Sequence, residues 1–265
     1  GAWNLKSYLE FGSGIQPIDV TIGTTKAAIK VDSIRLPIEV RYGIADRWEV
    51  GGDLGFESDD GTAITAGGTT SRILDGSGLQ RIQLIGKWNF WQDVAAMANL
   101  AFAGDNGLYY SLDGFDFGLK FMYGPQVGAG NLNLNLGILF KGGDADLDGD
   151  GKSSASEAYD NVFSYGIGYV YPYSDRFSGI IELVGSSSPY KGGADVGTND
   201  AMSFLLGARY GFTDQFLLDG GFGIGLGDGS PNFLMKVGMV WMWGEPADYS
   251  SAAPADRRES TASGT

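Results

Sequence analysis

Between Asn131 and Phe140 polar or small residues alternate with large apolar ones: Leu132, Leu134, Leu136, Ile138 and Phe140 interleave with Asn131, Asn133, Asn135 and Gly137, and Lys141 continues the polar series. A period of two places successive side chains on opposite faces of a strand. Asparagine at alternate positions is costly against lipid tails, so one face meets an apolar medium and the other a polar one. The segment Ser33 to Ile44 repeats the pattern, with Ile34, Leu36, Ile38, Val40, Tyr42 and Ile44 on one side. Alternation alone fits a soluble barrel with an apolar interior or a membrane barrel with an apolar exterior. Aromatic residues at the strand ends (Phe11, Trp48, Phe90, Trp91, Tyr123, Phe177, Phe212, Phe216, Trp241, Trp243) favour the membrane form. No stretch reaches the roughly 18 apolar residues of a membrane helix.

A turn is written three times, in RYGIADRWEVGG (41–52), YVYPYSDRFSGI (169–180) and RYGFTDQFLLDG (209–220). In each, Asp is followed by Arg or Gln and then by an aromatic residue, and the Asp is expected to cap the turn. Period-two segments fall at 2–12, 33–44, 48–57, 80–90, 94–103, 112–123, 131–141, 161–173, 176–186, 201–212, 216–227 and 233–243. Short connections near Asp46, Trp91, Pro125, Asp175 and Asp214 alternate with longer ones over 13–32, 58–79, 104–111, 142–160, 187–200 and 228–232. The expected fold is all-β, a transmembrane antiparallel up-and-down β-barrel of about twelve strands. It covers residues 1–244, with both termini periplasmic, and a polar tail follows over 245–265. Composition alone predicts disorder in that tail; a protein partner or the lumen could order it.

Composition narrows the function. The formal charge of −14 opposes nucleic-acid binding. With neither His nor Cys, Ser-His-Asp, Cys-His and most zinc chemistries are closed to the chain, and no carboxylate pair is clustered for acid–base work, so no enzyme is expected. The 44 glycines suggest close strand packing rather than disorder. A barrel precursor carries an export segment, so the chain from Gly1 reads as a mature form.

The repeated turn, Glu182 in GIIELVG and the run GARYGFTDQFLLDGGFGIGL resemble the meta-pathway phenol-degradation family of outer-membrane transporters. The resemblance implies a channel-like barrel, in some members beside hydrocarbon or aromatic catabolism, with no established catalytic residues. The expected setting is the Gram-negative outer membrane, with lipopolysaccharide in the surrounding bilayer and a small, amphipathic or aromatic permeant.

The inner face is expected to carry Arg35, Glu39, Arg41, Glu49, Asp53, Arg81, Lys87, Asp116, Lys120, Glu182, Arg209, Asp219 and Lys236. Arg209 should lie across from Asp219, and Arg41 beside Glu49 and Asp53. Such a set either lines a selective constriction for passive passage of small solutes or closes into a salt-bridge lattice that fills the lumen. In the second case the barrel anchors a periplasmic or surface protein partner through its tail.

The segment DLDGDGKSSASE (146–157) has the spacing of a calcium loop. Asp146, Asp148 and Asp150 stand at positions one, three and five, Gly151 makes the turn, the Lys152 carbonyl adds a ligand and Glu157 closes the site. Helices on either side are missing, so a structural Ca2+ is expected rather than a sensor, against the plainer reading of a solvated acidic loop. Glu57, Asp59 and Asp60 read as a solvated cluster opening another loop.

Overall fold

The computed structural model describes residues 1–22, 25–65, 70–103, 115–142, 159–190 and 196–244. They form strands and no helix: β1 (Ala2–Ile22), β2 (Thr25–Ala45), β3 (Trp48–Thr65), β4 (Thr70–Trp91), β5 (Val94–Ala103), β6 (Phe115–Tyr123), β7 (Gln126–Val127), β8 (Gly130–Phe140), β9 (Val162–Pro172), β10 (Phe177–Ser186), β11 (Val196–Thr198), β12 (Ala201–Gly211), β13 (Phe216–Gly225) and β14 (Phe233–Gly244). Apart from the short β7 and β11, each strand pairs antiparallel with its sequence neighbours, and β1 pairs with both β2 and β14. The sheet therefore closes into a twelve-stranded barrel with no open edge in the wall. The polar tail from 245 onward and the calcium-loop residues 146–157 lie outside the described residues.

The apolar side chains point outward. On β14, Met235, Val237, Met239 and Trp241 are between 41% and 53% exposed, while Val240 between the last two is 3% exposed. On β8, Leu136, Ile138 and Phe140 face out beside inward Asn135 and Gly137. An exterior this apolar is stable only in hydrocarbon, so the barrel spans a membrane. Its aromatic girdle at the end carrying the short turns and both described ends of the chain is nearly continuous. Trp3 lies 4.6 Å from Tyr42 and 6.1 Å from Trp243, Trp48 stacks on Trp88 at 5.5 Å, and Phe216 meets Trp241 at 5.9 Å.

Two of the three repeated turns close by a different device from the one the sequence suggested. Ser174 Oγ accepts hydrogen bonds from the backbone N–H of Arg176 and Phe177 (3.4 and 3.1 Å), and Thr213 Oγ1 accepts from Gln215 and Phe216 (3.2 and 3.0 Å). In these two copies the hydroxyl residue before the Asp is thus the cap, because its short side chain reaches the amides two and three positions ahead; the first copy has Ala45 there and lacks this device.

The strand boundaries differ most in the first four strands. Residues 13–22, 25–32, 58–65 and 70–79, expected in loops, belong to strands of 21, 21, 18 and 22 residues. The other wall strands have 9 to 12. At about 3.4 Å per residue and a tilt near 45°, about ten residues span the ~25 Å apolar band, whereas about twenty overshoot it roughly twofold. The outward face records where lipid ends: Trp48, Val50, Leu54 and Phe56 give way to Ser58 and Asp60 on β3. Past that level the hairpins have water on their outer side, so the apolar alternation lapses while backbone pairing continues from Arg35↔Glu57 to Ala27↔Thr65. Gly14, with φ of 67°, occupies the irregular stretch of β1 just beyond the band, and its N–H donates to Asp32 Oδ1 at 2.7 Å.

Candidate channel interior

The pleat places Arg35, Glu39 and Arg41 of β2, Glu49 and Asp53 of β3, Arg81 and Lys87 of β4, Asp116 and Lys120 of β6, Glu182 of β10, Arg209 of β12, Asp219 of β13 and Lys236 of β14 on the inner face. Four inner charges on β1 and β3 that sequence reasoning left out of this set join them: Lys6, Glu10, Glu57 and Asp59. Their signal was the same period of two, running on from Asn4 and from Asp53.

Near the turn end a network runs across four strands. Glu39 accepts from Arg41 at 2.9 Å with Lys6 at 3.8 Å, and Glu49 accepts from Lys87 at 3.0 Å, from Asn89 at 3.4 Å and faces Arg41 at 3.8 Å. Arg41 therefore meets Glu49 as expected, but Asp53 pairs with Arg81 instead, at 3.1 Å. Geometry explains the exchange: Gly55 pairs with Arg81 and Phe56 with Leu79, leaving Gln80 as an extra residue in β4. This bulge turns two consecutive side chains inward, Arg81 to Asp53 and Gln80 to Glu57.

Glu57 and Asp59, expected in a solvated loop, are instead 6% and 5% exposed on the inner side of β3. Glu57 collects the donors: Ser33 Oγ at 2.9 Å, the Arg35 guanidinium and the Gln80 amide. Asp59 Oδ1 is buried with no hydrogen-bond partner. Asp59 lies past the apolar band, and burial, aided by the adjacent Glu57 charge, pushes its carboxyl up to about 6.

Elsewhere the described residues form three further pairs. Arg209 and Asp219 are register partners and form a two-pronged bridge, Nε to Oδ1 at 2.6 Å and Nη2 to Oδ2 at 2.9 Å. Lys236 meets Glu10 at 2.8 Å and lies 4.0 Å from the centre of the Tyr8 ring. Lys141 bridges to Asp116 at 2.7 Å beneath the Tyr159 ring, which stacks on Tyr190 at 5.8 Å. Among the described residues Lys120 and Glu182 have no ion-pair partner, and Glu182 is exposed although it faces inward.

Space remains at both ends. A cavity of about 630 Å³ opens at the turn end, walled by residues that include Lys6, Arg41, Glu49, Lys87, Asn133 and Arg209. A second, of about 340 Å³, lies at the far end, beside Arg35, Asp59, Arg81 and Lys141. Between them a smaller recess holds Tyr8, Glu182, Arg209 and Lys236.

No family model matches this sequence, and no curated protein matches it. Solved structures do share the fold. The COG4313 outer membrane channel from Pseudomonas putida F1 superposes with a TM-score of 0.58 at 15% identity, over 92% of this chain and 96% of that one. The transport unit of the autotransporter AIDA-I from Escherichia coli gives 0.56 at 14% identity, over 91% and 89%. The CymD monoaromatic hydrocarbon channel gives 0.51 at 9% identity, over 91% and 88%. At such identities the likeness establishes a shared architecture, the closed outer-membrane type of barrel.

Proposed function

We propose that this barrel is a porin-like channel of the Gram-negative outer membrane, with both termini in the periplasm, carrying small amphipathic or aromatic solutes passively. The observation that carries the reading is a wall exposed on the inside: Glu182 and Val184 face the lumen, and Val184 is 38% exposed. In a barrel filled by its own side chains, mid-wall residues such as these would be covered. The inner charges would then set selectivity, as charged rings do in pores. The likeness to the COG4313 and CymD channels supports this choice, and the turn motif supports kinship with the meta-pathway phenol-degradation family. Single-channel recording in planar bilayers tests it. Discrete conductance steps are expected, with a reversal potential that moves when Arg41 or Arg209 is replaced by an uncharged residue; silence from folded, heat-modifiable protein would overturn the reading.

The ion-pair network of β1 to β4 favours one competing role, a sealed barrel that anchors a periplasmic or surface protein through residues 245–265. Deleting the tail separates the two: a lost co-purifying partner with intact folding supports the anchor, and altered conductance with unchanged partners supports a gating tail. We also propose a structural Ca2+ held by Asp146, Asp148, Asp150, the Lys152 carbonyl and Glu157. Sensitised terbium luminescence that calcium displaces, and that Asp148→Ala together with Glu157→Gln abolishes, is the expected signature.

A further inference from the structure

We infer that the far-end cavity is a binding site for a small organic ammonium ion with an apolar body, received by Asp59. Hydrogen-bond donors are unequally shared between two neighbouring acids. Glu57 and Asp59 stand two residues apart on the inner face of β3, and Ser33, Arg35 and Gln80 all donate to Glu57. Asp59 is 5% exposed and lines the cavity; the Ser33 hydroxyl is also within its reach, but Oδ1 stays without a donor. A buried carboxylate oxygen left this way costs more than a satisfied one, so a ligand bringing an N–H donor recovers that cost on binding.

Charge points to a cation. The other charged groups on the cavity wall each have a counter-ion: Arg35 has Glu57, Arg81 has Asp53 and Lys141 has Asp116. Among the described residues of the cavity wall Asp59 is the acid left over. A metal ion is a poor match, because calcium takes six to eight oxygen ligands, and the described residues hold no group of three acids suited to a metal. The remaining wall includes Ile15, Val31, Leu139, Val162, Pro189 and Tyr190, which suit a hydrocarbon body. The volume of about 340 Å³ is that of a small-molecule site. This inference does not rest on conduction, since a sealed lumen would leave the cavity in place.

The test uses the full chain in lipid nanodiscs and three probes sharing one ring: cyclohexylmethylammonium, cyclohexylmethanol and cyclohexanecarboxylate. Calorimetry at about pH 7.5 should rank the ammonium about tenfold tighter than the alcohol, the worth of one charge-assisted hydrogen bond, with the carboxylate weakest. Asp59→Asn should bring the ammonium down to the alcohol's affinity. A second arm needs no variant: near pH 4.5, below the Asp59 value, the native protein should lose its preference for the ammonium. The charged groups facing Asp59 are Glu57 on its own strand, Arg35 on β2, Arg81 on β4 and Lys141 at the end of β8. Equal binding of the three probes, no binding, or an ammonium preference that survives both Asp59→Asn and acid would overturn the proposal, whatever the conductance measurements give.

Discussion

The barrel has two unlike halves. In β1 to β4 the strands run about twice the membrane's thickness, and their inner face is a linked network in which Glu39 and Glu49 each face more than one cation. From β5 onward the strands barely cross the apolar band. Their inner face is mostly small or uncharged, with Ala95, Ala101, Asn133, Gly168, Ser178 and Ser203, and its described ion pairs are fewer. The difference separates two tasks. A linked network fixes side chains, since each shared partner has already lost its freedom, whereas a wall of small residues with single pairs leaves room for water and solute. On the proposed channel reading, stability is therefore expected to reside mainly in the charges of the tall half, and permeation to be read out mainly by those of the short half.

The strongest test of this division pairs two glutamates. Glu49, 6% exposed, accepts from Lys87 and Asn89 and faces Arg41, so Glu49→Ala leaves two cations short of a partner and should cost about 2–3 kcal/mol. Glu182→Ala should change stability by less than about 0.5 kcal/mol while moving the reversal potential toward anion preference. Urea unfolding in detergent together with bilayer recordings measures both. Equal destabilisation by the two would break the comparison.

Next in size is the acid response of the tall half above the membrane. Asp59 has a folded-state value of about 6 against 3.8 for an ordinary aspartate, so the folded form binds the proton more tightly than the unfolded chain. Stability should accordingly rise as the pH falls from about 6 to about 4, by at most about 2 kcal/mol, and level off below. Asp59→Asn should flatten this rise by removing the titrating group. A rise of the same size in the variant would assign it to other carboxylates.

The seam between the halves gives a third test. Tyr8 of β1 lies so close to Gly238 of β14 that a Cβ at 238 would meet the Tyr8 ring carbons at 2.0 to 2.8 Å. The contact includes Cγ, near the root of the side chain, so the ring cannot yield by bending its tip alone. Gly238→Ala should cost about 1–2 kcal/mol and move Tyr8 off Lys236. Tyr8→Ala in the same chain should recover part of the loss, a coupling that a double-mutant cycle reads directly.

How much of this was legible in the sequence depends on where lipid sits. Inside the band, Asn131 to Phe140 or Ile34 to Ile44 could be assigned face by face, because hydrocarbon on one side enforces the period of two. Above it the outer neighbour is water on both hairpins, Ser58 and Asp60 replace the apolar residues, and the strand continuations read as loops. The bulge at Gln80 hid a second feature: one extra residue resets the phase, so that Gln80 and Arg81 both face inward, which no fixed alternation would assign. Partner choice was legible where register alone determines it, as for Arg209 and Asp219. It was not legible for Asp53, whose long-armed neighbours Arg41 and Arg81 both come from adjoining strands.

The smallest predicted effect concerns that legible pair. Arg209 gives Asp219 two parallel hydrogen bonds from a planar fork, which an ammonium cannot reproduce. Arg209→Lys keeps the charge and loses one bond, so it should cost about 1 kcal/mol and leave ion preference unchanged. Arg209 also borders both the turn-end cavity and the neighbouring recess, so a shorter, more mobile cation there should broaden the open-channel current noise without shifting its reversal potential. If instead the substitution were as damaging as Glu49→Ala, the short half would share the structural load, and the division between a bracing wall and a permeation wall would fail at a short-half pair with two-pronged geometry.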